Sequence, residues 1–267
     1  MQEENTQPVG ITILGSGSKG NATIIHHGKD AIMIDAGFNR TEFLRRYAAS
    51  GLPEDLHIHA IMVTHEHTDH VCGLRLLAKH FNAQIYATSK CAECLKATQK
   101  IETRFNLITP GGDFSLYGFS ITPFSVPHDA VDPIAYTVTV NDRKIGVATD
   151  FGLPNTIVSY ELKNCDALVI ESNHDLNMLA ASQRPWNLKQ RILSNMGHLS
   201  NVSTSTLLEQ VICEKTHHLI LAHLSSECNA PEIARNTACD CLHKLHRDDI
   251  DLAIAMQDSP TETIWLD

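Results

Sequence analysis

The sequence predicts a layered α/β sandwich, and three observations carry that expectation. Short apolar runs rich in β-branched residues outnumber helical stretches early in the chain, helix-period segments are spaced between them as if covering outer faces, and the composition is that of a globule. Hydrophobic residues make up 43% of the chain and charged residues 19%, enough apolar material for a buried core and too little charge for a disordered polymer. At 267 residues the chain lies near the upper size of one compact domain. No repeat, low-complexity segment or linker divides it, so residues 1–267 are expected to form a single domain.

Taken in order, strands are predicted at 10–14, 22–26, 31–35, 60–64, 84–87, 120–126, 135–140, 144–148, 167–171 and 218–221. Helices are predicted at 41–50, 70–80, 89–100, 187–195, 203–214 and 231–246, with Ser200 or Ser203 and Asn229 as N-caps. No apolar run is long enough to span a bilayer. The opening Met1-Gln2-Glu3-Glu4-Asn5 is polar and acidic, unlike a secretory leader, so a cytoplasmic protein with free thiols and no membrane partner is expected. Among the eight cysteines, Cys91 and Cys94 have no second pair at zinc-ribbon spacing and read as small hydrophobes.

The formal charge of −10 argues against a broad basic face that coats nucleic acid. It does not exclude a nucleic-acid substrate, because carboxylates that bind cations inflate the acidic count while the filled site is locally positive.

The strongest chemical signal is Thr64-His65-Glu66-His67-Thr68-Asp69-His70, between an apolar strand and a helical run. Such crowding of imidazoles in a strand-to-helix turn fits two adjacent metal half-sites, and burying several histidines without a metal or partners carries a desolvation cost. The run is the His-x-His-x-Asp-His signature of the metallo-β-lactamase superfamily, whose further ligands follow at strand ends. His128, Asp150 and His223 each follow an apolar strand in that order. The resemblance implies a four-layer αββα sandwich and two divalent ions, zinc or manganese. It also implies that His65, His67 and His128 hold the first ion, that Asp69, His70 and His223 hold the second, and that Asp150 bridges both. Two such ions lower the pKa of a shared water and make hydroxide available near neutral pH, with Asp69 placed to orient its attack.

A second block runs through Glu171-Ser172-Asn173-His174-Asp175, Pro185-Trp186-Asn187-Leu188-Lys189-Gln190-Arg191 and Gly197-His198-Leu199-Ser200-Asn201. With Gly15-Ser16-Gly17-Ser18-Lys19-Gly20-Asn21 and Ala222-His223-Leu224-Ser225, it is similar to the YycJ/WalJ-type group, over nearly the whole chain. That resemblance implies exonucleolytic, metal-dependent phosphodiester hydrolysis, with DNA as the nucleic-acid partner; polarity, 5′-to-3′ among the options, and strand state stay open. By the same resemblance Asp69, His198 and Glu171 are catalytic candidates, His198 donating to a phosphate or leaving oxygen and Glu171 orienting a histidine. Substrate-contact candidates are Ser18, Asn21, His174, Lys189, Arg191 and Ser200. The glycine-rich 15–21 turn lacks the Lys-Ser/Thr ending of a P-loop. Trp186 among Arg184, Lys189 and Arg191 suits base stacking beside phosphates, and equally a solvated helix face.

Asp150 and His223 stand 73 positions apart, too close for the inserted cap of larger RNA-processing relatives. Two other readings compete: a thioester or lactone hydrolase of the same fold, and a non-catalytic metal or redox scaffold. The complete ligand set and the absence of a recognisable flavin segment speak against the second.

Overall fold

The computed structural model describes residues 7–266 apart from 100 and 102; the opening pentapeptide and the predicted helix end at Lys100 lie outside the described residues. The first half runs β1 (Val9–Gly15), β2 (Ala22–His27), β3 (Asp30–Ile34), α1 (Arg40–Ala49), β4 (His57–Met62), α2 (Thr68–Val71), α3 (Leu74–Phe81), β5 (Gln84–Thr88), α4 (Ser89–Gln99) and β6 (Phe105–Ile108). The second continues through β7 (Phe114–Leu116), β8 (Phe119–Ser125), β9 (Ile134–Val140), β10 (Arg143–Ala148), α5 (Thr156–Glu161), β11 (Ala167–Glu171), α6 (Leu176–Ala181) and α7 (Trp186–Leu193). It ends with α8 (Asn201–Val211), β12 (His218–Ala222), α9 (Pro231–Lys244), β13 (Asp251–Ile254) and β14 (Ile264–Leu266).

Two seven-stranded mixed sheets result, ordered β14-β1-β2-β3-β4-β5-β6 and β13-β12-β11-β10-β9-β8-β7. Strand alternation makes the layers. In β3, Ile32 and Ile34 face the opposite sheet while Ala31 and Met33 face the outer helices; in β11, Ala167 and Val169 point inward while Leu168 and Ile170 point outward. A strand buried on both faces reads as a continuous apolar run, and that is why these strands were visible in the sequence. The inter-sheet core holds Ile11, Ile25, Met62, Tyr136, Val138 and Ile220. Outer cores join α1, α3 and α4 to the first sheet and α5, α8 and α9 to the second, completing the αββα sandwich. The Tyr136 hydroxyl donates to the Val63 carbonyl at 2.7 Å, tying one sheet to the other just below the histidine-rich turn.

Several sequence expectations need correction. The helix expected over 70–80 is two helices, broken at Cys72-Gly73. Asn229 does not cap α9: Ala230 occupies that position without a side-chain cap bond, and the Asn229 carboxamide donates instead to Ser172 and Asn201. Ser200 does cap α8, accepting from the Ser203 amide at 3.1 Å. The short α5 and α6, the strands β6 and β7, and the short edge strands β13 and β14 had no strong periodic signal. Among the described residues no helix is long and apolar enough to cross a membrane.

Candidate metal centre

The candidate site lies where parallel strands of both sheets end. Asp35 follows β3, the 64–70 turn follows β4, Asp150 follows β10, Glu171 closes β11 and His223 follows β12. Carboxyl ends of strands are the usual place for a ligand crevice in α/β folds. Asp35 (φ 60°), Asp150 (φ 60°) and His223 (φ 55°) all adopt the left-handed region there. That conformation costs roughly 1–2 kcal/mol per residue, and Asp and His are among the non-glycine residues that tolerate it best. The turn is laced to its surroundings: Asn21 N donates to Asp69 O at 2.8 Å and Ala36 N to His70 O at 2.7 Å. Gly37 permits this approach, since a Cβ there would stand 1.8 Å from Asp69 O.

His65, His67 and His128 form the first donor group. His65 Nε2 and His67 Nδ1 are 3.0 Å apart, and the His128 ring lies 5.1 Å from the His65 ring and 5.2 Å from the His67 ring. His128 Nδ1 donates to the Gly197 carbonyl at 3.1 Å, which leaves the lone pair on Nε2. Burial pushes His65 well below the ordinary imidazole range, aided by His70, and burial likewise lowers His128. Both are thereby kept in the neutral form that ligates cations.

Asp69, His70 and His223 form the second donor group. Asp69 Oδ2 lies 3.7 Å from His70 Nε2 and 3.7 Å from His223 Nε2. Carboxylates grip the far side of both rings: Asp35 Oδ2 is 2.7 Å from His70 Nδ1, and Glu171 Oε1 is 3.0 Å from His223 Nδ1. Burial disfavours the charged form of either histidine, yet the carboxylates prevail, Asp35 and Asp150 raising His70 and Asp150 leading the rise of His223 to about 10. Asp150 stands between the groups, its Oδ2 at 3.2 Å from His70 Nε2 and its Oδ1 at 3.3 Å from His223 Nδ1, and it also falls in one cluster with His65 and His70. Its burial opposes ionisation, but His223 and His70 hold its carboxyl well below the usual range.

The fit to cations rests on atoms left over. His128 Nε2, His223 Nε2 and Asp150 Oδ2 are buried without hydrogen-bond partners, and all three belong to the convergent donor set. Orphaned buried polar atoms are costly, and a bound cation would satisfy them. Imidazole with carboxylate suits zinc or manganese.

Glu171 is fully buried and takes four contacts. Oε1 accepts from His198 Nδ1 at 2.8 Å and from His223 Nδ1, and Oε2 accepts from the Phe151 and Leu199 amides at 3.0 and 3.1 Å. Burial resists its ionisation, yet His198 leads the groups that bring it down to about 2. Conversely, Glu171 raises His198 against its own burial, while the side chain stays 20% exposed. His174 is buried with both ring nitrogens unpaired, and burial lowers it to about 4.

The other expected contacts divide. Asn21 reaches the site, its Nδ2 3.1 Å from His70 Nε2, and Arg191 pairs with Asp129, the neighbour of His128. Ser18 is exposed on the glycine-rich turn, whereas Ser200 is occupied in capping α8. Lys189 is not brought to the site: it is 9% exposed, and its ammonium donates to the Ala180 and Ser182 carbonyls at the end of α6. Trp186 is 68% exposed. Sequence reading missed Asp35, Glu66 and Ser16. Glu66 Oε1 accepts from the Val131 amide at 2.8 Å, fastening the His128 loop, and Ser16 Oγ accepts from the His223 amide at 2.9 Å.

The chain matches the β-lactamase superfamily domain over residues 30–224. It is 34% identical over 238 residues to the exodeoxyribonuclease YycJ of Bacillus anthracis, covering 88% of this chain and 89% of that protein. The chain belongs to the β-lactamase superfamily, in its YycJ/WalJ group. Exodeoxyribonuclease WalJ of Streptococcus pneumoniae is 34% identical over 231 residues, 85% of each chain. Among solved structures, the metallo-β-lactamase fold protein YhfI of Bacillus subtilis superposes with a TM-score of 0.71 at 18% identity, covering 96% of this chain and 99% of that one. Yeast PDE1 gives 0.72 at 14% identity, covering 98% and 100%. As a member of this superfamily the chain is a metal-dependent hydrolase, and the donor groups are its candidate metal ligands.

Proposed function

We propose that the chain is a metal-dependent exonuclease that hydrolyses phosphodiester bonds in DNA. The observation that carries the reading is a pair of adjoining donor groups with Asp150 clustered beside His65 of one and His70 of the other, next to a histidine that Glu171 holds with its Nδ1 occupied. The names of the YycJ and WalJ relatives supply the substrate class. His65, His67 and His128 would hold one cation, Asp69, His70 and His223 a second, and Asp150 would reach both. Bound there, two divalent cations supply a Lewis acid and lower the pKa of water.

The chain's own groups do the rest. Asp69 faces both second-group histidines and accepts a proton or hydrogen bond from the attacking water. Glu171 holds His198 by Nδ1 and, against its burial, favours the charged ring, whose Nε2–H would donate to a phosphate oxygen or to the leaving oxygen as the ester bond breaks. A cytoplasmic setting suits this activity.

The test is incubation of end-labelled single-stranded and duplex DNA and RNA with manganese or zinc, beside a thioester control. The reading requires stepwise release of nucleotides from DNA, and the labelled end that disappears first gives the polarity. His198→Ala is expected to lower turnover by about 10²-fold or more while metal content stays unchanged. Turnover of the thioester with no cleavage of DNA would favour the small-molecule hydrolase instead.

A further inference from the structure

At the mouth of the first donor group, Asp129 turns one carboxylate oxygen toward the centre and the other away from it. Oδ1 lies 3.4 Å from His128 Nε2, and Oδ2 accepts from Arg191 Nε. A planar guanidinium gripped through Nε keeps its two terminal nitrogens for a second partner, and Arg191 Nη1 and Nη2 meet none among the described residues. The side chain is 54% exposed. Its backbone, in contrast, is fixed. The end of α7 packs against Gly197, where a Cβ would come within 2.3 Å of Arg191 O, and Gly197 in turn accepts from His128. The His198 amide donates to Ile192 O at 3.0 Å, so one helix end registers Arg191 against both His128 and His198.

Of the three basic residues in this segment, Arg184 pairs with Glu227 at 2.9 Å and Lys189 is turned into the end of α6. Arg191 keeps donors to offer at this rim. On a chain of net charge −10, a local cation is what would draw a polyanion to the centre.

We propose that Arg191, aimed by Asp129, anchors the phosphate next to the scissile one, so that the enzyme favours substrates with consecutive phosphates over isolated diesters. The proposal rests on the nuclease reading above and deepens it. Asp129 is a positioning residue: it spends Nε and leaves the bidentate edge of the guanidinium toward the strand. A merely exposed ion pair would contribute little to anything, and substrate selectivity separates the two roles.

The experiment compares metal-loaded wild-type protein with Arg191→Ala and Arg191→Lys on a single-stranded DNA oligonucleotide and on bis(4-nitrophenyl) phosphate, which carries one phosphate. For Arg191→Ala, kcat/KM on the oligonucleotide is expected to fall about tenfold more than on the single diester, mainly through KM. The slope of log kcat/KM against log salt on the oligonucleotide should flatten by about 0.7, the share of one phosphate contact on a single strand. Arg191→Lys, which keeps the charge and loses the fork, should recover the slope and only part of KM. Equal losses on both substrates, or an unchanged salt slope, would overturn the assignment. Wild-type protein that cleaves the single diester and leaves DNA intact would overturn the nuclease reading itself, and the anchor with it.

Discussion

His65 and His128 of the first donor group lean on neutral oxygens, and the histidines of the second lean on carboxylates. His65 Nδ1 lies 3.0 Å from the Thr64 hydroxyl and His128 Nδ1 3.1 Å from the Gly197 carbonyl, whereas His70 and His223 turn the same atom to Asp35 and Glu171. A carboxylate behind an imidazole fixes the ring and makes its other nitrogen a better donor. Exposure does not separate them: His65, His128, His70 and His223 are all buried, and each group has one partly open member, His67 in the first and Asp69 in the second. The second group is therefore expected to bind its cation more tightly, and the first is the half that faces the rim where Asp129 and Arg191 meet.

Asp150 clusters with His65 of one half and His70 of the other, so, if it is shared as proposed, Asp150→Ala should erase the difference between them. We expect loss of both cations and a fall in turnover of at least about 10²-fold, read by metal analysis and DNA cleavage together. Retention of two cations at wild-type affinity would deny Asp150 its shared position. Asp35→Asn acts on one half. It keeps the shape and removes the charge behind His70, and should weaken one of the two cations by about 10–100-fold while the other is little changed, as titration against a competing chelator would show. If both weaken equally, the division drawn above is wrong. Glu66→Ala is the smallest change, because it frees the His128 loop at the Val131 amide but leaves the Ile134 amide donating to Thr64 O. An ordinary hydrogen bond contributes about 0.5–1.5 kcal/mol net, so the opposite cation should weaken, by no more than about tenfold. A larger loss at the Asp35-braced cation would contradict the assignment of Glu66 to the first half.

What the sequence made legible follows from the same contrast. The ligand candidates announced themselves because their residue types are chemically specific and sit at fixed distances or at strand ends, as with His65, His67 and His223. Asp35 lay in plain view as the last residue of an apolar run, but its purpose is a contact with His70 that only the parallel pairing of β3 and β4 creates. Glu66 and Ser16 were hidden for the same reason, since each serves a backbone amide far away in sequence.

Lys189 shows the opposite error. Its charge suggested a phosphate contact, yet a lysine with a buried stem can place its ammonium on helix-end carbonyls, and sequence alone does not say which way the stem turns. The split between α2 and α3 was invisible because the apolar spacing runs on through Cys72-Gly73, where the chain closes on Ala36 through a backbone bond.

The measurement that bears most directly on the account is elemental analysis of protein reconstituted with zinc or manganese and freed of loosely bound ions. About two cations per folded chain are expected, released in two steps as chelator is raised, with the carboxylate-braced one leaving last. Protein that stays folded and takes up no cation, or takes up only one at saturation, would contradict it.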